Sequence, residues 1–184
     1  MNSISKSTLR RVLLDYRRLL DPRFFEERNE LLCEKILAFI KQKEARTIHV
    51  FLAIKKNKEP DLTMIFQNLR KAGCEIVVSK TDFIRKTQEH FYLKEDTILR
   101  ENKMRIPEPV NAESANFENV DLIIVPLSAA DKHRNRIGYG GGYYDRLLES
   151  SNAVKVGLCL SPLLDEISQT EKWDVELDQI LTPF

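Results

Sequence analysis

Cysteine is scarce in this sequence. Cys33, Cys74 and Cys159 are the whole complement, an odd count without CxxC spacing, so neither a disulfide framework nor a zinc site is implied. A reducing, cytoplasmic setting fits that usage. Long hydrophobic runs are absent as well. The amino terminus reads MNSISKSTLRR with no apolar stretch behind its basic residues, and nothing approaches the length of a membrane-spanning helix. The chain is expected to be neither exported nor anchored, with no membrane partner. Charge of one sign is lacking too, since the formal net charge is +1, which says little about partners. The three histidines, His49, His90 and His133, show no ligand spacing and receive no role. Internal repeats, linkers and low-complexity tracts are missing.

What remains is an ordinary globular composition, 42% hydrophobic and 31% charged over 184 residues, enough to bury a core as one domain covering 1–184. Residues 3–20 place Leu9, Val12, Leu13, Tyr16, Leu19 and Leu20 at helical spacing, with Ser3 or Ser5 as cap. The same stretch holds Lys6, Arg10, Arg11, Arg17 and Arg18 against Asp15 alone. That excess suits a phosphate-bearing ligand, although a solvated helix face is the commoner cause. Asp21-Pro22 opens a second helix running to about residue 42, with Phe25, Leu32, Ile36, Phe39 and Ile40 as its stripe. Strands are predicted at Thr47 to Ile54, Glu75 to Val78, His90 to Leu93, Leu122 to Val125, Lys155 to Leu160 and Asp178 to Leu181. Between the first two, Asp61 can cap a helix through Leu69. Residues 81–117 are hard to read, with Ile106-Pro-Glu-Pro109 a rigid extended turn. The alternation predicts a three-layer α/β fold, Rossmann-like, with a mostly parallel sheet and helices on both faces.

Glycine is rare overall but concentrated. Arg134-Asn-Arg-Ile-Gly-Tyr-Gly-Gly-Gly-Tyr-Tyr-Asp-Arg146 holds four of the six glycines, after a predicted strand and before a predicted helix. Backbone N–H groups freed there can converge on an anion. Arg134, Arg136 and Arg146 can add forked donors, and Asp145 an oxygen ligand for nucleotide-bound Mg²⁺. The loop is neither a Walker A motif, lacking Gly-Lys-Ser/Thr, nor a dinucleotide GxGxxG, since position 143 is Tyr. An isolated GxGGG is more often a plain tight turn; the flanking arginines, tyrosines and aspartate favour a phosphate site.

This segment, following Asp121-Leu-Ile-Ile-Val-Pro126, resembles the signature of the 5-formyltetrahydrofolate cyclo-ligase family, also called 5,10-methenyltetrahydrofolate synthetases. Lys6-Ser-Thr-Leu-Arg10, Glu59-Pro-Asp61 and Trp173-Asp-Val-Glu-Leu-Asp178 match further family segments in order, so the resemblance spans nearly the whole chain. It implies an enzyme, an ATP-dependent cyclo-ligase that turns 5-formyltetrahydrofolate into 5,10-methenyltetrahydrofolate with release of ADP and phosphate, through phosphorylation of the formyl oxygen. ATP is the co-substrate and Mg²⁺ the metal; the partners are small molecules, not nucleic acid. By similarity Lys6 and Arg10, one turn apart, reach the ATP phosphates with Arg136, Gly138, Gly140, Gly141, Gly142 and Tyr143, and Arg134 is expected beside them. Arg136 and Tyr144 are the expected catalytic residues. Leu52, Glu59, Tyr139 and Tyr143 are expected to bind folate, and Asp145 and Asp178 to bind Mg²⁺. The sequence departs from the family form at Lys55-Lys-Asn-Lys58, which lengthens the approach to Glu59, at Ser79-Lys80, and at Leu127, where glycine is usual. Two other readings are weighed: a non-catalytic nucleotide- or folate-binding paralogue, whose mark would be a missing Glu59 or metal carboxylate, and a nucleic-acid module, against which near-neutral charge and the absence of RNP, KH or HTH patterns argue.

Overall fold

The computed structural model describes residues 5–167, 171 and 174–184, so Ser3 and Trp173 lie outside the described residues. Ser5 caps helix α1 (Lys6–Leu19), its Oγ accepting the Thr8 N–H at 3.2 Å. Asp21 caps α2 (Pro22–Gln42) in the same way, Oδ1 accepting the Arg23 N–H at 2.8 Å, with Pro22 in the first turn where its missing donor is not needed. Asn29, Leu32, Cys33, Ile36 and Ile40 form the buried stripe of α2. In α1 the expected stripe is largely wrong. Val12, Tyr16 and Leu19 are exposed, Leu19 at 84%, whereas Arg17 is buried. Leu9 and Leu13 alone of the predicted face within α1 pack on a small cluster of Ala129, Ile137 and Ile167.

Strands β1 (Thr47–His49), β2 (Glu75–Asp82), β3 (Thr87–Tyr92), β6 (Leu122–Pro126), β9 (Val154–Leu158) and β10 (Gln179–Leu181) form one six-stranded sheet in the order β10-β9-β6-β1-β2-β3. All neighbours are parallel except β2 and β3. The strand expected over residues 47–54 stops at His49, and the chain beyond it turns out over the sheet's end. Strands β4 (Ile98–Glu101) and β5 (Pro107–Val110) make a separate antiparallel ribbon where a rigid turn was predicted. Sequence could not show it: β4 is exposed throughout, so no burial alternates along it, and Pro107 and Pro109 are tolerated only because a two-stranded ribbon is all edge. Strands β7 (Ala129–Ala130) and β8 (Arg136–Ile137) form a further short hairpin.

Burial on both faces follows from the central strands' continuous apolar runs. Leu122 and Ile124 join α2 and α3 (Thr63–Lys71) in one core, while Ile123 and Val125 face the opposite way into a second core with Leu147 and Leu148 of α4 (Tyr143–Glu149). Helices therefore cover both faces, as predicted. Asp61, expected as the cap of α3, stands one residue before its N-cap Leu62, its Oδ1 accepting the Thr63 N–H at 3.0 Å. Leu127 is accommodated by Gly157, where an added Cβ would fall 2.5 Å from Leu127 Cδ1. Among the described residues no helix is long and apolar enough to cross a membrane.

The chain runs from β1 outward to β2, then returns to place β6 on the other flank of β1. At such a switch in strand order the connections diverge and leave a crevice beyond the carboxyl ends of the strands. The candidate site lies there.

Candidate functional site

A cavity of about 750 Å³ opens at this crevice, within the size range of small-molecule sites. Its floor is the end of β1 and its extension (His49 to Leu52) with Val125 and Pro126 of β6, and its rim includes Phe83 beyond β2 and Met104, Ile106 and Pro107 of the β4–β5 ribbon.

One end is cationic. Lys6, Arg10 and Arg136 line it together with Gly138, Gly140, Gly141, Gly142, Tyr143, Tyr144 and Asp145. The glycine loop is pinned at its start by Asp131, fully buried, whose carboxylate accepts the N–H groups of His133, Asn135 and Ile167 at 2.8–2.9 Å. Burial alone would raise its pKa; the hydrogen bonds from Asn135, Ile167 and His133 outweigh this and hold it low. Arg10 Nε donates to Gly138 O at 2.6 Å, and its guanidinium lies where a side chain on Gly140 would be, 2.9 Å from an added Cβ. Gly140 also sits at φ +87°, a backbone conformation that strains any other side chain, so it is the backbone that calls for glycine there. Tyr143 lies over Gly141 and meets Phe83 edge-on at 5.8 Å.

Charges at this end alternate. Lys6 pairs with Asp174, and Arg136 pairs with Asp145 while donating to Val175 O. The Asp174 carboxyl lies below its ordinary range: burial would raise it, but the Glu171 N–H, Lys6 and Arg136 prevail. Two carboxylates thus flank Arg136.

The other end is built around Glu59, 3% exposed, whose Oε2 accepts the Ile54 N–H at 2.6 Å. The longer approach to it folds as one 3-10 turn over Lys55–Asn57, followed by Lys58 in the left-handed region at φ 46°, its amine donating to Leu20 O. Glu59 therefore reaches the cavity despite the basic insertion. Burial raises its pKa, opposed by the Ile54 N–H, Tyr139 and Arg17. Leu52 and Tyr139 line the cavity with it, and Tyr144 of the cationic end comes close enough to feel the Glu59 charge. Burial first, then the Glu59 charge, pushes both tyrosine hydroxyls above their usual range, so both stay protonated donors.

Two expected residues are not brought in. Arg134, on the β7–β8 turn, is absent from the lining and donates to Asp178 O at 3.3 Å. Asp178 stands before β10 with its Oδ2 accepting the Lys155 N–H at 2.8 Å, at the edge of the sheet where the strands begin. Parallel strands separate their two ends by the sheet's height, so Asp178 does not meet Asp145 in the cavity. Asp174, four positions earlier in the same segment, lines it instead.

Other residues escaped the sequence reading. Arg17 is one; its signal was its place seven after Arg10 and eleven after Lys6, on one helix face. A second group is His49, Ser79 and His90, given no role from sequence. His49 Nε2 lies 2.7 Å from Ser79 Oγ, which lies 3.1 Å from His90 Nδ1, and Phe117 stacks on His90 at 4.2 Å. The parallel β1–β2 pairing sets His49 beside Ser79, and the antiparallel β2–β3 register sets Ser79 opposite His90.

The sequence model of the 5-formyltetrahydrofolate cyclo-ligase family matches residues 2–183. The chain is 29% identical to the 5-formyltetrahydrofolate cyclo-ligase of Mycolicibacterium smegmatis, covering 100% of this chain and 96% of the relative. It is 25% identical to that of Escherichia coli over 91% and 94%. The NMR structure of Aquifex aeolicus 5,10-methenyltetrahydrofolate synthetase superposes with a TM-score of 0.82 at 30% identity, covering 98% of this chain and 90% of that one. The Mycoplasma pneumoniae 5,10-methenyltetrahydrofolate synthetase shares the fold at a TM-score of 0.73 and 23% identity, over 98% and 100%.

Proposed function

Because the chain belongs to the 5-formyltetrahydrofolate cyclo-ligase family, we propose that its cavity binds ATP at the cationic end and 5-formyltetrahydrofolate at the Glu59 end, and closes the latter to 5,10-methenyltetrahydrofolate. The observation that carries this reading is the continuity of the two ends: a phosphate-type cradle and a buried acceptor for ring N–H donors share one 750 Å³ space.

A formyl amide is a weak electrophile with a poor leaving oxygen. Transfer of the terminal phosphoryl group to that oxygen makes it a leaving group; the second folate nitrogen then attacks the formyl carbon and phosphate departs. Such a transfer needs positioning and charge neutralisation more than a base. Lys6, Arg10, Arg136 and the N–H groups of the glycine loop supply donors for the phosphates, and the Tyr144 hydroxyl, kept protonated by burial, can donate to the oxygen that gains charge. Glu59 accepts from the pterin amino and N–H groups, with Leu52, Tyr139 and Tyr143 enclosing the ring.

Mg²⁺ binds through one or two carboxylates plus phosphate oxygens, and the two carboxylates beside Arg136 fit that requirement. Asp145 and Asp174 would hold it, with Asp174 in the part expected of Asp178. When bound it neutralises phosphate charge. Each carboxylate is paired with a cation, Asp145 with Arg136 and Asp174 with Lys6. Arriving phosphates compete for those cations and release the carboxylates.

The test is the absorbance of methenyltetrahydrofolate on mixing protein with 5-formyltetrahydrofolate, ATP and Mg²⁺. Product that needs all three, and that drops at least about a hundredfold in Asp145→Ala, supports the reading. ATP binding without product would instead favour the non-catalytic alternative.

A further inference from the structure

A guanidinium buried to 4% exposure is costly unless its donors are filled and its charge is answered. Arg17 of α1 fills three of its five N–H donors with bonds to three separate segments. Its Nε donates to Asn57 O at 2.6 Å, its Nη1 to Leu127 O at 3.1 Å, and its Nη2 to the Tyr139 hydroxyl at 2.6 Å. None of these partners carries charge. The buried carboxylate on which its charge acts is Glu59.

Tyr139 connects the two. A phenol offers one donor and two acceptor positions, and here Arg17 Nη2 and Asn57 Nδ2, the latter at 3.3 Å, both donate to its oxygen. With its lone pairs taken, the hydroxyl hydrogen is left for an acceptor in the cavity that Tyr139 and Glu59 both line, and the Glu59 charge acts on that hydroxyl. Arg18 steadies the same turn, its Nη2 donating to Asn57 Oδ1 at 2.7 Å.

We propose that Arg17 is a positioning residue for folate recognition, orienting the Glu59 carboxylate through the Tyr139 hydroxyl while tying the 3-10 turn, the end of β6 and the glycine loop into one frame. This rests on the folate reading above. The groups acting on Glu59 are Arg17 from α1, Tyr139 from the loop, Tyr144 from α4 and the Ile54 N–H, with Lys56 and Arg18 lining the same cavity. Removing Arg17 takes away an influence that favours the ionised carboxylate, leaving burial, which opposes it.

The experiment compares Arg17→Gln, Arg17→Lys and Tyr139→Phe with the unaltered protein, measuring KM for 5-formyltetrahydrofolate and for ATP, and kcat/KM for the folate against pH. Arg17→Gln should raise the folate KM by about tenfold or more, with a smaller change for ATP. The acid limb of the folate kcat/KM should move to higher pH in Arg17→Gln and Tyr139→Phe, and move back partway in Arg17→Lys, which keeps the charge but not the fork. A merely structural loss would lower activity without moving that limb. If Arg17→Gln does not fold, Tyr139→Phe, which deletes only the hydroxyl, decides the matter. A folded variant with unchanged folate KM, or an unmoved acid limb, overturns the proposal. Unaltered protein that binds ATP but yields no methenyltetrahydrofolate would overturn the folate reading, and this inference with it.

Discussion

His49 shows how a residue without any sequence signal acquires a measurable property from burial. It is 1% exposed, and burial, reinforced by neighbouring His90, lowers its pKa from 6.5 to about 3. An unfolded chain takes up a proton near pH 6.5 that the folded protein refuses until about pH 3. Below 6.5 the unfolded state therefore binds more protons, so the stability is fully present above that pH and is lost as pH falls through this window. The slope from this one group is about 1.4 kcal/mol per pH unit. Urea denaturation at pH 7, 6 and 5 should show that decline, and His49→Gln, which cannot titrate, should flatten it by about that amount. Equal slopes in the two proteins would mean that His49 does not bear the proton. Nothing in composition or spacing marked this position. The His49–Ser79–His90 contact needs the register that pairs Ser79 with His90 across β2 and β3, and register is a tertiary property.

At the scale of elements, legibility followed burial pattern. Helix α2 was readable from its cap, its first-turn proline and its stripe, and β6 from an unbroken apolar run between Asp121 and Leu127. Helix α1 was found but its inward face was misjudged, because Arg17 rather than a leucine is buried there. The hydrophobic period identifies a helix; it does not reveal when a site recruits the polar side. Helix α4 is short and owes its position to packing rather than propensity. Leu148 is its fully buried anchor, set among Ile123, Val125 and Leu147. Leu148→Ala should cost about 2–5 kcal/mol, read as a lowered urea midpoint. Since α4 also carries Tyr143, Tyr144 and Asp145, activity should become more heat-sensitive than folding itself. Activity and structure lost at one temperature would show that α4 does not loosen before the rest.

For the whole molecule, the cavity draws on α1, the ends of β1, β2 and β6, the β4–β5 ribbon, the glycine loop and the segment around Asp174. Ligands spanning such distant segments bind only the folded state, so each should raise the melting temperature by mass action. At a concentration one hundred times its dissociation constant a ligand contributes about 2.7 kcal/mol. Mg²⁺ with a non-hydrolysable ATP analogue, and 5-formyltetrahydrofolate alone, should each give a saturable rise in a thermal scan. A rise with the nucleotide but none with the folate would confine binding to the cationic end.

The glycine cluster with its flanking arginines, tyrosines and aspartate, and the strand–helix alternation, were determined by sequence alone, because local conformational freedom, periodicity and capping are encoded in adjacent residues. What the tertiary structure decided is which distant groups meet. It set Asp174 rather than Asp178 at the cavity, buried Arg17 under the glycine loop, and placed Lys6 and Arg10 beside Arg136. Those choices depend on the order of strands in the sheet and on which end of each strand faces the crevice, and no window of sequence contains either.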